Sequence, residues 1–318
     1  MMRNEKYDVV VIGELNIDLI LNKLAQFPEV GKYILAEDMA FTLGSSSAIF
    51  ASNLSVLGSE VSFIGELGED MFGNFILSSL QEKNLHTEDI IFAKHASTGI
   101  TVAFNFGEDR AMVTYPGAMN ELCMNDIQEN ALKKAKHLHV SNIFMQLGLK
   151  QDVVSLFKKA KELGLTTSLD TQWDPSEKWD LPWKELLRYV DVFIPNKSEI
   201  QNMANTSSLD KAIDYFKDNA NVIVVKDGSK GAHLFHKEEF KFQEAFKVTH
   251  VVDSIGAGDS FDAGFIYQYV CGSSLEKCLE FGALTGAMNT MKAGGTGAFQ
   301  NKEDFKRLAK EIFSYHVD

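Results

Sequence analysis

Asp253 to Phe265 (DSIGAGDSFDAGF) admits few backbone conformations. Its second half carries Phe261 and Phe265, with Tyr269 just beyond. That four-residue spacing puts three aromatic rings on one buried helical face. The first half cannot be helical, because Gly256 and Gly258 flank a single alanine, which suits a tight turn or close backbone approach. A glycine turn running into a helix leaves N–H groups unpaired and aimed outward. With the helix dipole they make a site for an anion, most often a phosphate. Asp259 stands at that same start. A carboxylate there can cap the helix, yet a fixed negative charge would repel an anion. The pairing makes chemical sense if Asp259 removes a proton while the amides of Gly256, Ala257 and Gly258 hold the charge of a moving phosphoryl group.

The stretch resembles the signature of the PfkB, or ribokinase-like, carbohydrate kinases. The resemblance implies that the GAGD turn is the anion hole and Asp259 the base that deprotonates the acceptor hydroxyl. It also implies an α/β fold: a three-layer α/β/α sandwich with a mainly parallel central sheet and a small β-sheet lid.

Bulk properties agree. The chain has 318 residues, 45% of them hydrophobic and 24% charged, enough for one large α/β domain or two smaller ones. We expect a single domain over residues 1–318, with lid segments at about 15–43 and 98–116. A net charge of −13 argues against nucleic acid or an anionic membrane as partner, while leaving room for a nucleotide. Cys123, Cys271 and Cys278 are odd in number and form no CxxC pair, so reduced thiols are expected. No signal peptide and no apolar run of ~18 residues is seen, and a cytoplasmic enzyme is the expectation.

Tyr7 to Gly13 reads as a buried parallel strand. It lacks the GxGxxG of a dinucleotide fold. Asn16 and Asp18 lie two apart and share one face of an extended chain. They read as turn groups by themselves; the resemblance implies that Asp18, and more loosely Asn16, holds sugar hydroxyls. Tyr33 to Ala36 and Thr98 to Tyr115 are strand-like, the latter with a hairpin turn at residues 107–110. These are the two lid blocks. Arg110 reads as a solvated turn charge or a phosphate contact from the lid.

Gly44 and Ser45 open a helix through about Leu57. The resemblance implies that Gly44 and Ser45 face the sugar. Many family members have a second glycine at Ser45 and an asparagine at Ile49, so this chain departs from ribokinase specificity there. Val61 to Leu67 reads as one strand and Asp70 as a helix cap. Further on, a helix is expected over Asn125 to Ala135, a strand over His137 to Ser141, a helix over Gln151 to Leu163 and a strand over Thr166 to Thr171. His137 and His139 read as core or edge histidines. Asp170 and Asp174, past a parallel strand, are substrate-side or phosphate-side candidates.

Asp191 to Asn196 reads as a strand, and Asn196 and Glu199 as a capping box. The pair also resembles the family's NxxE motif, which implies that Glu199 organises Mg²⁺ through water beside Asn196. Lys226 to Gly231 reads as a hairpin turn. It resembles the turn beneath the nucleotide, which implies cofactor contacts from Lys226, Gly228 and Gly231. Leu275 to Lys292 reads as a long helix before a glycine-rich turn. There the resemblance implies an adenine wrap and a monovalent cation, K⁺, near Asp253.

The reading is therefore an ATP- and Mg²⁺-dependent sugar kinase acting on a hydroxymethyl group, fructokinase- or ribokinase-like. A homodimer through an exposed lid edge is compatible with it. Alternatives are a nucleoside kinase, for which Phe27, Phe104 and Phe106 offer apolar lid walls, and a phosphosugar kinase, for which Lys32 and Arg110 are the available charges. The rival from another class is a non-catalytic sugar- or nucleotide-binding protein.

Overall fold

The computed structural model describes residues 6–106 and 109–317, with Asp109 and Arg110 described by their backbone alone. The chain opens with β1 (Tyr7–Ile12) and β2 (Asn16–Asn22), then β3 (Asp38–Leu43) and helix Ser46–Leu57. Next come β4 (Val61–Ile64), β5 (Glu66–Gly68), helix Met71–Glu82, β6 (Ile91–Ala93), β7 (Gly99–Phe106) and β8 (Asp109–Tyr115). The remaining strands are β9 (Ala135–Ser141), β10 (Thr166–Asp170), β11 (Val192–Phe193), β12 (Val222–Lys226), β13 (Gly231–His236) and β14 (Glu239–Glu244).

Eight strands form one sheet in the order β14-β13-β12-β11-β10-β9-β1-β4. From β4 to β12 all neighbours are parallel, and β13 and β14 add an antiparallel edge. The apolar run of β1 fits its central place. Val10 and Ile12 enter one core with Leu138 and Leu169, while Val9 and Val11 enter the other with Phe63, as a period of two requires. Helices Val153–Glu162 and Leu209–Phe216 cover the first face. Helices Ser46–Leu57, Ala257–Val270 and Leu275–Asn289 cover the second. This is the expected layering, and it leaves the carboxyl ends of the parallel strands at one edge.

A separate sheet has the order β3-β2-β7-β8 and is built from the two segments the sequence marked. Strands β7 and β8 pair antiparallel as far as Phe106 opposite Asp109. The expected turn residues Gly107 and Glu108 lie outside the described residues, and so does the side chain of Arg110.

Several local expectations are corrected. Tyr33 to Ala36 is not a strand. Tyr33 and Leu35 stand in solvent on the loop before β3, with nothing to pair against. Val61 to Leu67 is broken at Gly65, where a Cβ would meet Gly13 O, Leu15 Cδ1 and Phe63 Cε1 at 2.9 Å. The chain turns there, so β5 leaves the large sheet and pairs with β6. Asn125 to Ala135 supports only the short helix Glu129–Leu132. Asp126 takes the Cys123 amide and closes a tight turn, Ile127 is extended, and Ala135 already pairs with Tyr7 in the large sheet. The Asp191 to Asn196 strand shrinks to two residues, beyond which Asn196 still bridges Lys226.

Candidate active site

The glycine turn is fixed from both sides. Asp253 accepts from the amides of Ile255 (2.9 Å) and Gly294 (3.0 Å), and Asn289 donates to Ile255 O (2.6 Å). Gly256 adopts φ 73°, and a Cβ there would lie 2.5 Å from Gly295 Cα, so two glycine turns touch back to back. Helix Ala257–Val270 then starts with no side chain capping it. Asp259 sits inside the first turn and sends its carboxylate elsewhere: Oδ1 accepts from Gln172 Nε2 at 2.8 Å. Capping is therefore not its role. The Ala257 amide turns back to Ser254 O (3.3 Å), and Gly256, Ala257, Gly258 and Asp259 line a cavity of about 1060 Å³.

Asp259 is only 6% exposed. Burial first, then Asp170, pushes its carboxyl well above the usual range, Glu14 adds to this, and Lys226 and the Ser46 hydroxyl oppose it. A group so placed takes up a proton readily once an acceptor hydroxyl comes within reach.

At one end of the cavity stand Asn16 and Asp18 on β2. Asn16 donates to Asp18 Oδ1 (3.0 Å) and Thr101 Oγ1 (3.2 Å), which aims both polar groups inward from one strand face. Burial pushes Asp18 up to about 6 against the Asn16 hydrogen bond. Gly44 lies behind this pair rather than on the wall; a Cβ there would come within 2.3 Å of Asp18 Oδ1. Ser45 lines the cavity at φ 70°, donates to Glu14 O and caps the next helix through Ala48 N. Ile49, 3% exposed, also lines the cavity and packs on Gly256 and Gly295.

At the other end stand Asn196, Glu199, Lys226, Gly228 and Gly231. The capping box is complete: Asn196 Oδ1 accepts from Glu199 N (2.9 Å), and Glu199 Oε2 accepts from Asn196 N (2.8 Å). Burial, then Asp170, pushes Glu199 up to about 7, with Lys226 opposing. Lys226 donates to Asp170 Oδ2 (3.1 Å) and Asp262 Oδ2 (2.8 Å). Burial works against its charge, but Asp170, Asp262 and Glu199 outweigh it and hold the ammonium firmly protonated. Asp262 Oδ1 is buried without a partner. Gly228, at φ 55°, forms the open turn, and Gly231 lies against Gln243 O, where a Cβ could not fit. Asp253 is off the cavity wall, spent on the two amides.

Other candidates separate cleanly. Asp170 joins the Lys226 network, whereas Asp174 holds its own loop through Ser176 and the Trp179 amide. His137 and His139 are buried in a hydroxyl chain through Ser168 and Ser141; burial pushes His137 down to about 3. Asp70 caps its helix at Phe72 and Gly73. Lys32 pairs with Glu29 on an exposed loop. Phe27, Phe104 and Phe106 cluster together and are not on the cavity wall. The small sheet offers Ile20, Ala103 and Met112 there instead, because alternate residues face opposite ways.

A family model described as pfkB family carbohydrate kinase matches residues 6–302. The chain belongs to the pfkB family. Among its relatives is a 5-dehydro-2-deoxygluconokinase of Geobacillus thermodenitrificans, 27% identical over 325 residues and covering 96% of this chain and 94% of that one. The structure of Arabidopsis thaliana ribokinase with ribose and ATP superposes with a TM-score of 0.83 at 23% identity, covering 96% of this chain and 99% of that one. A putative ribokinase II of E. coli, solved with ATP and Mg²⁺, gives 0.82 at 22% identity, again covering 96% and 99%.

Within this pfkB chain, sequence reasoning passed over Glu14, Asn142, Gln172 and Trp173, all on the cavity wall. Glu14 is 1% exposed and accepts from Ser47 Oγ (2.5 Å) and Asn142 Nδ2 (3.2 Å); burial pushes it up to about 7. Gln172 bridges two carboxylates, and Trp173 stands beside it at the mouth. A faint signal was present. Glu14 interrupts an apolar strand's end, and Gln172 follows Asp170 at the carboxyl end of a parallel strand.

Proposed function

We propose that this chain transfers the γ-phosphoryl group of ATP to a hydroxymethyl group of a small, uncharged sugar. One observation carries the reading: a buried Asp259 in the uncapped first turn of a helix shares a cavity with Asn16 and Asp18. Asp18 and Asn16 orient the sugar. The acceptor O–H proton passes to Asp259 as its oxygen bonds to the γ-phosphorus and the bond to the β-phosphate oxygen breaks, releasing ADP. The amides of Gly256, Ala257 and Gly258 stabilise the charge on the phosphoryl group in flight. Asn196, Lys226, Gly228 and Gly231 border the nucleotide. The small sheet acts as a lid that excludes water, the competing acceptor.

Glu199 stands on the cavity wall beside Lys226, which Asp170 and Asp262 already pair, and Asp262 Oδ1 is left without a partner. Among the described residues the nucleotide end therefore offers carboxyl oxygens to a cation reached through water rather than a direct ligand cluster. Glu199 would hold Mg²⁺ through water. When bound, the ion supplies charge neutralisation at the triphosphate. A monovalent cation near Asp253 is proposed with it, its carboxylate sharing the site with the two amides.

A phosphosugar is disfavoured because the acceptor-end wall offers Glu14, Asp18 and Asp259 and no cation among the described side chains. A nucleoside is the second reading, favoured by the apolar Ile49, Met112 and Trp173 on the same wall. We further propose a homodimer through the outer face of the small sheet. A cytoplasmic location is proposed as well, since all three cysteines are free and, among the described residues, no helix is long and apolar enough to cross a membrane.

The test is ADP release from Mg·ATP, with and without K⁺, across fructose, ribose, 2-keto-3-deoxygluconate, fructose 6-phosphate and adenosine. Turnover on fructose or ribose, lost by at least about a thousandfold in Asp259→Asn with ATP binding retained, is the expected result; turnover on an anionic acceptor alone would overturn the uncharged class. Wild-type rates in Asp259→Asn would sink the mechanism.

A further inference from the structure

Among the described residues, Gln172 links the Asp259 carboxylate to the buried ion network. Its Nε2 donates to Asp170 Oδ2 at 2.6 Å and to Asp259 Oδ1 at 2.8 Å, so both amide hydrogens are used. This fixes the orientation of the amide, since the flipped form would press its carbonyl oxygen against two carboxylates. Asp170 in turn shares Lys226 with Asp262, which gives a continuous chain from Asp259 through Gln172, Asp170 and Lys226 to Asp262. The backbone at Gln172 is left-handed, φ 55°, a conformation in which glycine or asparagine is the usual choice. Strain of that kind persists where a side chain must be held in one place.

We propose that Gln172 is a positioning residue: it ties Oδ1 of Asp259 to Asp170, so that proton abstraction falls to Oδ2. The inference rests on the reading of Asp259 as the base. The amide also donates to the charged form of Asp259 and so holds down a carboxyl that burial pushes up. The other groups facing Asp259 are Asp170 on β10, Lys226 on β12, Glu14 after β1 and the Ser46 hydroxyl; changing Gln172 takes a donor from Asp170 as well and leaves the other three in place.

The test follows the Asp259 carboxyl directly. Selective 13Cγ labelling of aspartate gives its titration by NMR, assigned by the resonance that disappears in Asp259→Asn. Gln172→Met keeps the length and removes both donors. In it the Asp259 titration should move to higher pH, and the acidic limb of kcat against pH should follow by about 1 unit. At neutral pH kcat should fall about tenfold, with KM for ATP within about twofold of wild type. Gln172→Gly accepts the left-handed backbone without strain, so it should keep the thermal midpoint and show the same shifts; it decides the matter if the methionine variant folds poorly. Wild-type titration and pH profile in the folded variants, with Asp259→Asn inactive, would overturn the positioning role alone. Full turnover in Asp259→Asn would overturn the proposed reaction and this inference together.

Discussion

Gly44 shows how one hydrogen atom shapes the acceptor end. A methyl there would sit 2.3 Å from Asp18 Oδ1 and 2.6 Å from Asn16 Nδ2, so Gly44→Ala must push that pair into the cavity or apart. The expected result is an acceptor KM raised about tenfold, about 1.4 kcal/mol, with ATP KM unchanged in steady-state kinetics. An unaltered acceptor KM would take Asp18 out of substrate binding. Asn16 and Asp18 were legible in the sequence because a spacing of two on a strand fixes their common face. Glu14 and Gln172 were not. Each earns its place only through contacts across the fold: Glu14 with Ser47, 33 residues away, and Gln172 with Asp259, 87 residues away. The second departure, Ile49, was visible by resemblance. Its physical content emerged only when its side chain was seen filling the space beside Gly256 and Gly295.

Elements whose partners lie on both sides were the readable ones. The apolar β1 and the aromatic spacing of helix Ala257–Val270 each imply burial without knowledge of any neighbour. The breaks were hidden because they depend on neighbours: Gly65 turns the chain where the Gly13 backbone crowds it, and Tyr33 to Ala36 has β-like alternation with no strand to join. The small sheet has a consequence at this scale. Its outer face aligns Phe41, Leu19, Val102 and Val113 across four strands, next to Met39, Leu21 and Phe104. Phe72 and Phe75 of helix Met71–Glu82 pack on Phe41 and Phe27 packs on Phe104, but Val113 (61% exposed) and Met39 (59%) remain open to water. If two copies cover that face, sedimentation equilibrium of the wild type should give a dimer, and Val113→Lys with Met39→Lys should give a folded monomer. A wild-type monomer at micromolar and higher concentrations would remove the dimer proposal.

Across the whole molecule, burial of titratable groups sets opposing demands on pH. His137 is held neutral, its folded value near 3 against an ordinary 6.5, and His139 is pushed down likewise. Below about pH 6.5 the unfolded chain binds protons that these folded rings refuse, so stability is lost as pH falls. Glu14 acts in the other direction. Its folded value near 7 exceeds the ordinary 4.5, so between those limits the folded state holds the extra proton. Stability from this group is then lost as pH rises, with the loss complete above about pH 7. Asp18 does the same between 3.8 and about 6. Glu66 and Glu199, each pushed up to about 7, and Asp259 and Asp262, also raised, add to Glu14 and Asp18 and outnumber the two histidines, so the ligand-free protein should lose stability as pH rises from about 5 towards 7. Glu14→Gln separates the two demands, since it removes the carboxylate's penalty and leaves the histidines in place. Relative to wild type it should gain on the order of 3 kcal/mol in denaturant unfolding between pH 5 and pH 8, and its stability maximum should move to higher pH. A maximum that stays where the wild type has it would mean that Glu14 is already ionised in the folded cavity. It would then stand as a fixed negative charge beside Asp259, and the uncharged acceptor inferred from this wall would be better replaced by a cationic one.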